Sequence, residues 1–193
     1  MKRHVAILVF DDVEVLDFAG PFEVFALADE LHDHAVFHTF TLALKPGTVR
    51  TRNGLKIVPD FTLESCPLPH VFVIPGGAGT RPLLQMPSLL EWLRVKSRKI
   101  ELLMSVCTGA LVLARAGLLD GLRATTHHAY LDELRALAPR TEIDPEARFV
   151  DNGQVLTAAG ISAGIDCSLH VVERLLGAAA AETTARTMEY RRA

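Results

Sequence analysis

Cys107 is the residue of this chain best placed to do chemistry. It lies in Leu102-Leu103-Met104-Ser105-Val106-Cys107-Thr108-Gly109-Ala110, where a short apolar run gives way to an Ala/Leu-rich stretch ending at Gly117. The run suits a buried parallel strand, and the stretch suits a helix closed by a left-handed glycine. A strand that turns straight into a helix brings its backbone close to itself. The residues two before and two after the turn must then be small, as Ser105 and Gly109 are. In a nucleophile elbow of this kind, the middle side chain is held out of a strained turn. A thiol there faces the positive end of a helix, which is expected to lower its pKa and favour thiolate. By spacing alone Cys107 fits a nucleophile, and it also fits a buried packing cysteine, a common fate of free thiols.

Other groups could assist it. Residues 11–17, Asp-Asp-Val-Glu-Val-Leu-Asp, form an acidic loop. By residue type alone, Asp17 reads first as a capping or turn carboxylate ahead of a helix that Pro21 would start. Pro75-Gly76-Gly77-Ala78-Gly79 follows an apolar run. It is either a loop that approaches a ligand closely or a plain tight turn, and it lacks the spacing of a dinucleotide or phosphate loop. His127 and His128 follow Arg123-Ala124-Thr125-Thr126, a short strand candidate. Cys66 and Cys167 read as structural. His32, His34 and His38 do not have metal-ligand spacing, so no metal is expected.

These residues need a scaffold, and the pattern supplies one. Apolar runs at 4–10, 35–43, 70–74 and 100–106 read as strands, and 154–158 as another. Helical stretches separate them, with Pro82 and Pro87 as starts of two pieces within 80–98 and amphipathic spacing over 165–176. Asn53-Gly54 and Asn152-Gly153 mark two hairpin turns. The alternation implies an α/β sandwich on a mainly parallel sheet, in which ligands sit beyond the carboxyl ends of the strands. The loops at 11–20 and 75–79 and the turn at Cys107 all meet that rule. Their convergence favours the nucleophile reading.

Composition narrows the function classes. The 193 residues are 49% apolar and 22% charged with a net charge of −3, so one soluble domain over 1–193 is expected, and a nucleic-acid or membrane partner is not. Three cysteines without a CxxC pair indicate neither a disulfide framework nor a zinc ribbon. The apolar run before Asp11 is too short for a signal-peptide core, and a cytoplasmic location is expected.

Taken together, several segments resemble the ThiJ/PfpI superfamily, whose fold is a flavodoxin-like three-layer sandwich with a cysteine nucleophile elbow related to class I glutamine amidotransferases. They are residues 10–21, Val73-Ile74-Pro75-Gly76-Gly77, Ser105 to Gly109 with Thr125-Thr126-His127, and Ala159 to Asp166. Leu16 to Pro21, Val106 to Ala110 and Ala116 to Gly121 are most similar to the isonitrile hydratase branch, and are also similar to the ligand-sensing domain of AraC-type regulators. The resemblance implies Cys107 as nucleophile and Asp17 as the carboxyl group that bonds the sulfur and handles protons. It implies an oxyanion pocket from the amides of Gly77 and Thr108, with His127 near the site and no cofactor. Thr108 stands where the peptidase branch commonly has histidine, which speaks against protease activity. The implied reaction is addition of water to an isonitrile. Reactive-carbonyl chemistry of the glyoxalase or deglycase type, or a ligand or redox sensor, is the alternative. A small-molecule electrophile and a second copy of the chain, as a homodimer, are the implied partners.

Overall fold

The apolar runs of the sequence become the centre of a parallel sheet. The computed structural model describes residues 2–192. The elements in chain order are β1 (Arg3–Leu8), α1 (Val15–Glu30), β2 (Phe37–Ala43), β3 (Val49–Arg50), β4 (Lys56–Ile57) and β5 (Phe61–Thr62). Next come β6 (Val71–Ile74), α2 (Thr80–Leu83), α3 (Pro87–Lys96), β7 (Leu102–Val106), α4 (Gly109–Arg115) and β8 (Arg123–Ala124). The chain ends with α5 (Leu131–Leu137), β9 (Glu142–Ile143), β10 (Phe149–Asp151), β11 (Val155–Ala158), α6 (Ala163–Leu176) and α7 (Ala178–Thr187).

Seven strands form the main sheet in the order β10-β11-β7-β6-β1-β2-β5. All its pairs are parallel except β10 with β11, the hairpin turned by Asn152-Gly153. Helices cover both faces, which is why β6 and β7 are buried along their whole length. On one side α1, α6 and α7 pack on one another, and on the other α4 packs against α2, α3 and α5. This is the three-layer sandwich the sequence implies. Phe72 on β6 is fully buried and meets Trp92 of α3 at 5.1 Å between ring centroids. A side chain buried to that degree contributes roughly 1.5–3 kcal/mol. Among the described residues, no helix is long and apolar enough to cross a membrane.

One boundary differs from the sequence reading. Pro21 does not start α1; the helix begins at Val15 and carries Pro21 inside it. Without an N–H, Pro21 cannot serve the carbonyl four residues earlier, that of Asp17. The extra turn ahead of Pro21 places Asp17 on the helix itself, in its first turn. The loops after β7, β6 and β1, three neighbouring strands, open on the same end of the sheet.

Candidate active site

Cys107 sits between β7 and α4 with φ of 55°, in the left-handed region that side chains with a Cβ rarely adopt. Its backbone is held there from two sides. The Cys107 N–H donates to the Ala158 carbonyl at 3.1 Å, and the Thr126 hydroxyl donates to the Cys107 carbonyl at 2.7 Å. The turn also needs Gly109, because a Cβ there would lie 2.0 Å from the Ile74 carbonyl oxygen. The small residue anticipated at position 109 is thus required by close approach to the end of β6.

Asp17 is fully buried, and its Oδ2 accepts the Gly76 N–H at 3.0 Å. It therefore bonds across the site and not to its own helix as a cap would. Oδ1 has no partner at hydrogen-bonding distance. Burial raises the Asp17 pKa to about 7, with the nearby Glu14 charge adding to the rise. The Gly76 amide opposes it, as do, more weakly, the Cys107 thiol and the Ile161 amide. Gly76 belongs to this contact by necessity. A Cβ on it would fall 2.6 Å from the Thr108 nitrogen and 2.8 Å from Asp17 Oδ2.

The thiol departs from the expected lowered pKa. Burial, then the Asp17 charge, pushes Cys107 up to about 12, against the opposing pull of the Thr108 amide and hydroxyl. The helix end is too weak to reverse this, since α4 has only seven residues and Cys107 is 6% exposed. Of the two groups, the carboxyl loses its proton first.

Thr108 follows directly, buried at the head of α4. Its Oγ1 accepts the Gly77 N–H at 3.0 Å and lies 3.2 Å from the Thr80 hydroxyl oxygen. The Gly77 amide, assigned by resemblance to an oxyanion pocket, is thus already bonded to Thr108. Of that pair, it is the Thr108 amide that acts on the sulfur.

His127 lines the same cleft, whereas His128 is exposed. The rings stack 4.2 Å apart between centroids. Burial, then the His128 charge, lowers the His127 pKa. Its Nδ1 accepts the Ala129 N–H at 3.2 Å, so the neutral ring carries its proton on Nε2. Such a ring is a donor at Nε2, not a base.

The cleft encloses about 480 Å³, with Cys107, Thr108, Gly77 and His127 in its walls. Further lining comes from Glu14, Arg52, Arg81, Tyr130 and Ile161, which sequence reasoning did not assign to the site. Arg52 sits in the Asn53-Gly54 hairpin, and Arg81 comes two residues after the glycine-rich loop. A cation directly behind such a loop was the available signal. Among the described residues, no cluster of three or more His, Cys, Asp or Glu could hold a metal ion.

A strained cysteine between strand and helix, paired with a buried carboxyl at the carboxyl edge of a parallel sheet, defines the class of the protein. It is an α/β protein of the cysteine-elbow type. Residues 3–174 match the DJ-1/PfpI family, and the chain belongs to that family. The chain is 38% identical to isonitrile hydratase of Pseudomonas putida over 98% of its own length and 79% of that protein's. It is 32% identical to the HTH-type transcriptional regulator CdhR of Pseudomonas aeruginosa over 92% of its length, but spans only 52% of the regulator. A ThiJ/PfpI family protein from Pseudomonas syringae superposes with a TM-score of 0.88 at 30% identity, over 100% of this chain and 77% of that one.

Proposed function

We propose that this chain is a cofactor-independent isonitrile hydratase, converting R–N≡C and water to R–NH–CHO. The observation that carries the reading is the likeness to the Pseudomonas putida isonitrile hydratase along almost the whole chain. The geometry of Cys107 and Asp17 is suited to each step. A carboxyl with a pKa near 7 is well matched to act as base and acid at neutral pH. Ionised Asp17 takes the thiol proton as sulfur bonds to the terminal isonitrile carbon, and the proton is returned to that same carbon. The product is a thioimidate, R–N=CH–S–Cys107. Asp17, ionised again, removes a proton from water as the water oxygen adds to the carbon, and passes that proton to the nitrogen. Collapse of R–NH–CH(OH)–S–Cys107 breaks the C–S bond, releases the formamide and returns a proton to sulfur. The Thr108 amide and the Nε2–H of His127 are the donors available for charge that builds up along the way. The same reading places the site near the interface of a homodimer. A monomer by light scattering at micromolar protein would remove that part of it.

The test is formamide production from a panel of alkyl and aryl isonitriles, followed by NMR. Cys107→Ala should abolish it, and a wild-type protein inactive across the panel overturns the proposal. A sensor that binds without turnover is the second reading, favoured by the likeness to CdhR. Saturable isonitrile or other small-molecule binding with no product would select it.

A further inference from the structure

Two arginines line the cleft, Arg52 and Arg81, and the proton chemistry at Cys107 and Asp17 uses neither. Arg81 is the more tightly held. Its Nη2 donates to Glu133 at 2.7 Å, its Nη1 donates to the Thr80 hydroxyl at 2.9 Å, and its Cζ lies 4.9 Å from the centre of the Tyr130 ring. Thr80 is itself fully buried and donates to the Gly77 carbonyl at 2.8 Å. The cation is therefore clamped by its own helix, by α5 and by the turn that carries Tyr130. Those two hydrogen bonds engage two of the five N–H groups a guanidinium offers. Arg52, on the hairpin, is more exposed and pairs with Glu14 at 3.1 Å.

The charged side chains lining the cleft are these two arginines and Glu14. Each cation has one carboxylate partner, Arg52 with Glu14 and Arg81 with Glu133, and the guanidinium of Arg81 keeps N–H groups beyond that pair. A planar cation already fixed in orientation loses little freedom on meeting a carboxylate, and its geometry suits two parallel bonds to one. A structural role exists as well, because the pair with Glu133 ties α2 to α5. That role accounts for the ion pair but not for the presence of the cation in the cleft wall.

We propose that Arg81 forms an anion subsite, and that the electrophile attacked by Cys107 carries a carboxylate at its far end. For the function proposed above, on which the substrate part of this inference rests, the substrate class becomes carboxylate-bearing isonitriles.

The first experiment does not depend on isonitrile chemistry. Alkylation of Cys107 by iodoacetate and by iodoacetamide forms the same S–C bond, expels iodide and releases the thiol proton to solvent. The reagents differ chiefly in charge. Rates are read by mass spectrometry on the Cys107 peptide, so that Cys66 and Cys167 do not contribute. The iodoacetate-to-iodoacetamide ratio, divided by the same ratio for N-acetylcysteine amide, should exceed ten in the wild type. Arg81→Met should bring it down to near one. Glu133→Gln removes the competing carboxylate and should hold or raise it. A wild-type ratio near one, or equal ratios in the wild type and Arg81→Met, overturns the subsite and leaves Arg81 as a tie between helices. The second experiment compares kcat/KM for isocyanoacetate and its methyl ester. At least a tenfold preference for the acid is expected. Equal consumption of both overturns the subsite and leaves the hydratase standing. Consumption of neither, with the isonitrile panel also untouched and the alkylation preference intact, overturns the hydratase and leaves the subsite; consumption of the panel but of neither of these two overturns the carboxylate-bearing substrate class.

Discussion

The chemistry of Cys107 depends on which of two buried groups holds the proton. With Asp17 raised to about 7 and the thiol to about 12, the neutral-pH pair is a thiol beside a carboxyl that is about half ionised. The two groups titrate as a coupled unit, and removing the negative charge from one eases ionisation of the other. Asp17→Asn should therefore lower the pH at which thiolate absorbance appears, while cutting turnover more than tenfold for want of a proton carrier. The wild-type kcat/KM should rise with pH through a limb near the Asp17 value, and the variant should lack it. Near-wild-type turnover in Asp17→Asn would return the carboxyl to a structural role. The same shift affects stability. Between 3.8 and about 7 the folded protein holds a proton that the unfolded chain has released, so stability falls as pH rises through that window. Urea unfolding of Asp17→Asn should thus gain on the wild type from about pH 5 to about pH 8. A gain that shrinks over that range would show that burial does not penalise the charge.

At the scale of the element, the elbow stores strain that its surroundings hold in place. A left-handed conformation costs a residue with a Cβ roughly 1–2 kcal/mol, and glycine avoids most of that. Cys107→Gly should consequently be more stable than Cys107→Ala by roughly 1 kcal/mol, both being inactive. Equal stabilities would mean the turn relaxes when sulfur is lost. Thr126→Val removes the 2.7 Å bond to the Cys107 carbonyl and should cost roughly 1–3 kcal/mol, with a fall in kcat as the sulfur loses its fixed direction. The elbow was legible in the sequence because steric demand shows in residue size, as at Ser105 and Gly109. The hairpins were legible for a similar reason, since Asn53-Gly54 and Asn152-Gly153 name their own turns. The start of α1 was not. Pro21 is a strong local signal, and the need to seat Asp17 beside Gly76 is a long-range one that prevails over it. The thiol pKa was misread for the same kind of reason. A helix end is visible in sequence, whereas the burial that raises the thiol most is not, and Asp17, ninety residues away, was reached through the family resemblance alone. Tyr130 was hidden because its contact with Arg81, across some fifty residues of chain, has no local pattern.

In the whole molecule, the site is a meeting of segments far apart in the chain, and the sheet is what makes them neighbours. Residues 12–14 bond to the glycine-rich loop through Glu14 N–H to Gly76 O at 2.9 Å, and Gly79 N–H to Asp12 O at 3.3 Å. They bond to the β3–β4 hairpin through Asp12 N–H to Arg50 O at 2.8 Å, and Arg52 N–H to Val13 O at 3.1 Å. The acidic loop is thus the middle member of three, and neither neighbour can part from it without breaking backbone bonds. In hydrogen–deuterium exchange, the amides of Asp12, Glu14, Arg52 and Gly79 should then report one shared opening event, with similar free energies and a similar response to denaturant. The wall bearing Arg52 and the floor bearing Gly77 would breathe as one gate, so that widening of the cleft and loosening of the glycine-rich turn become the same motion.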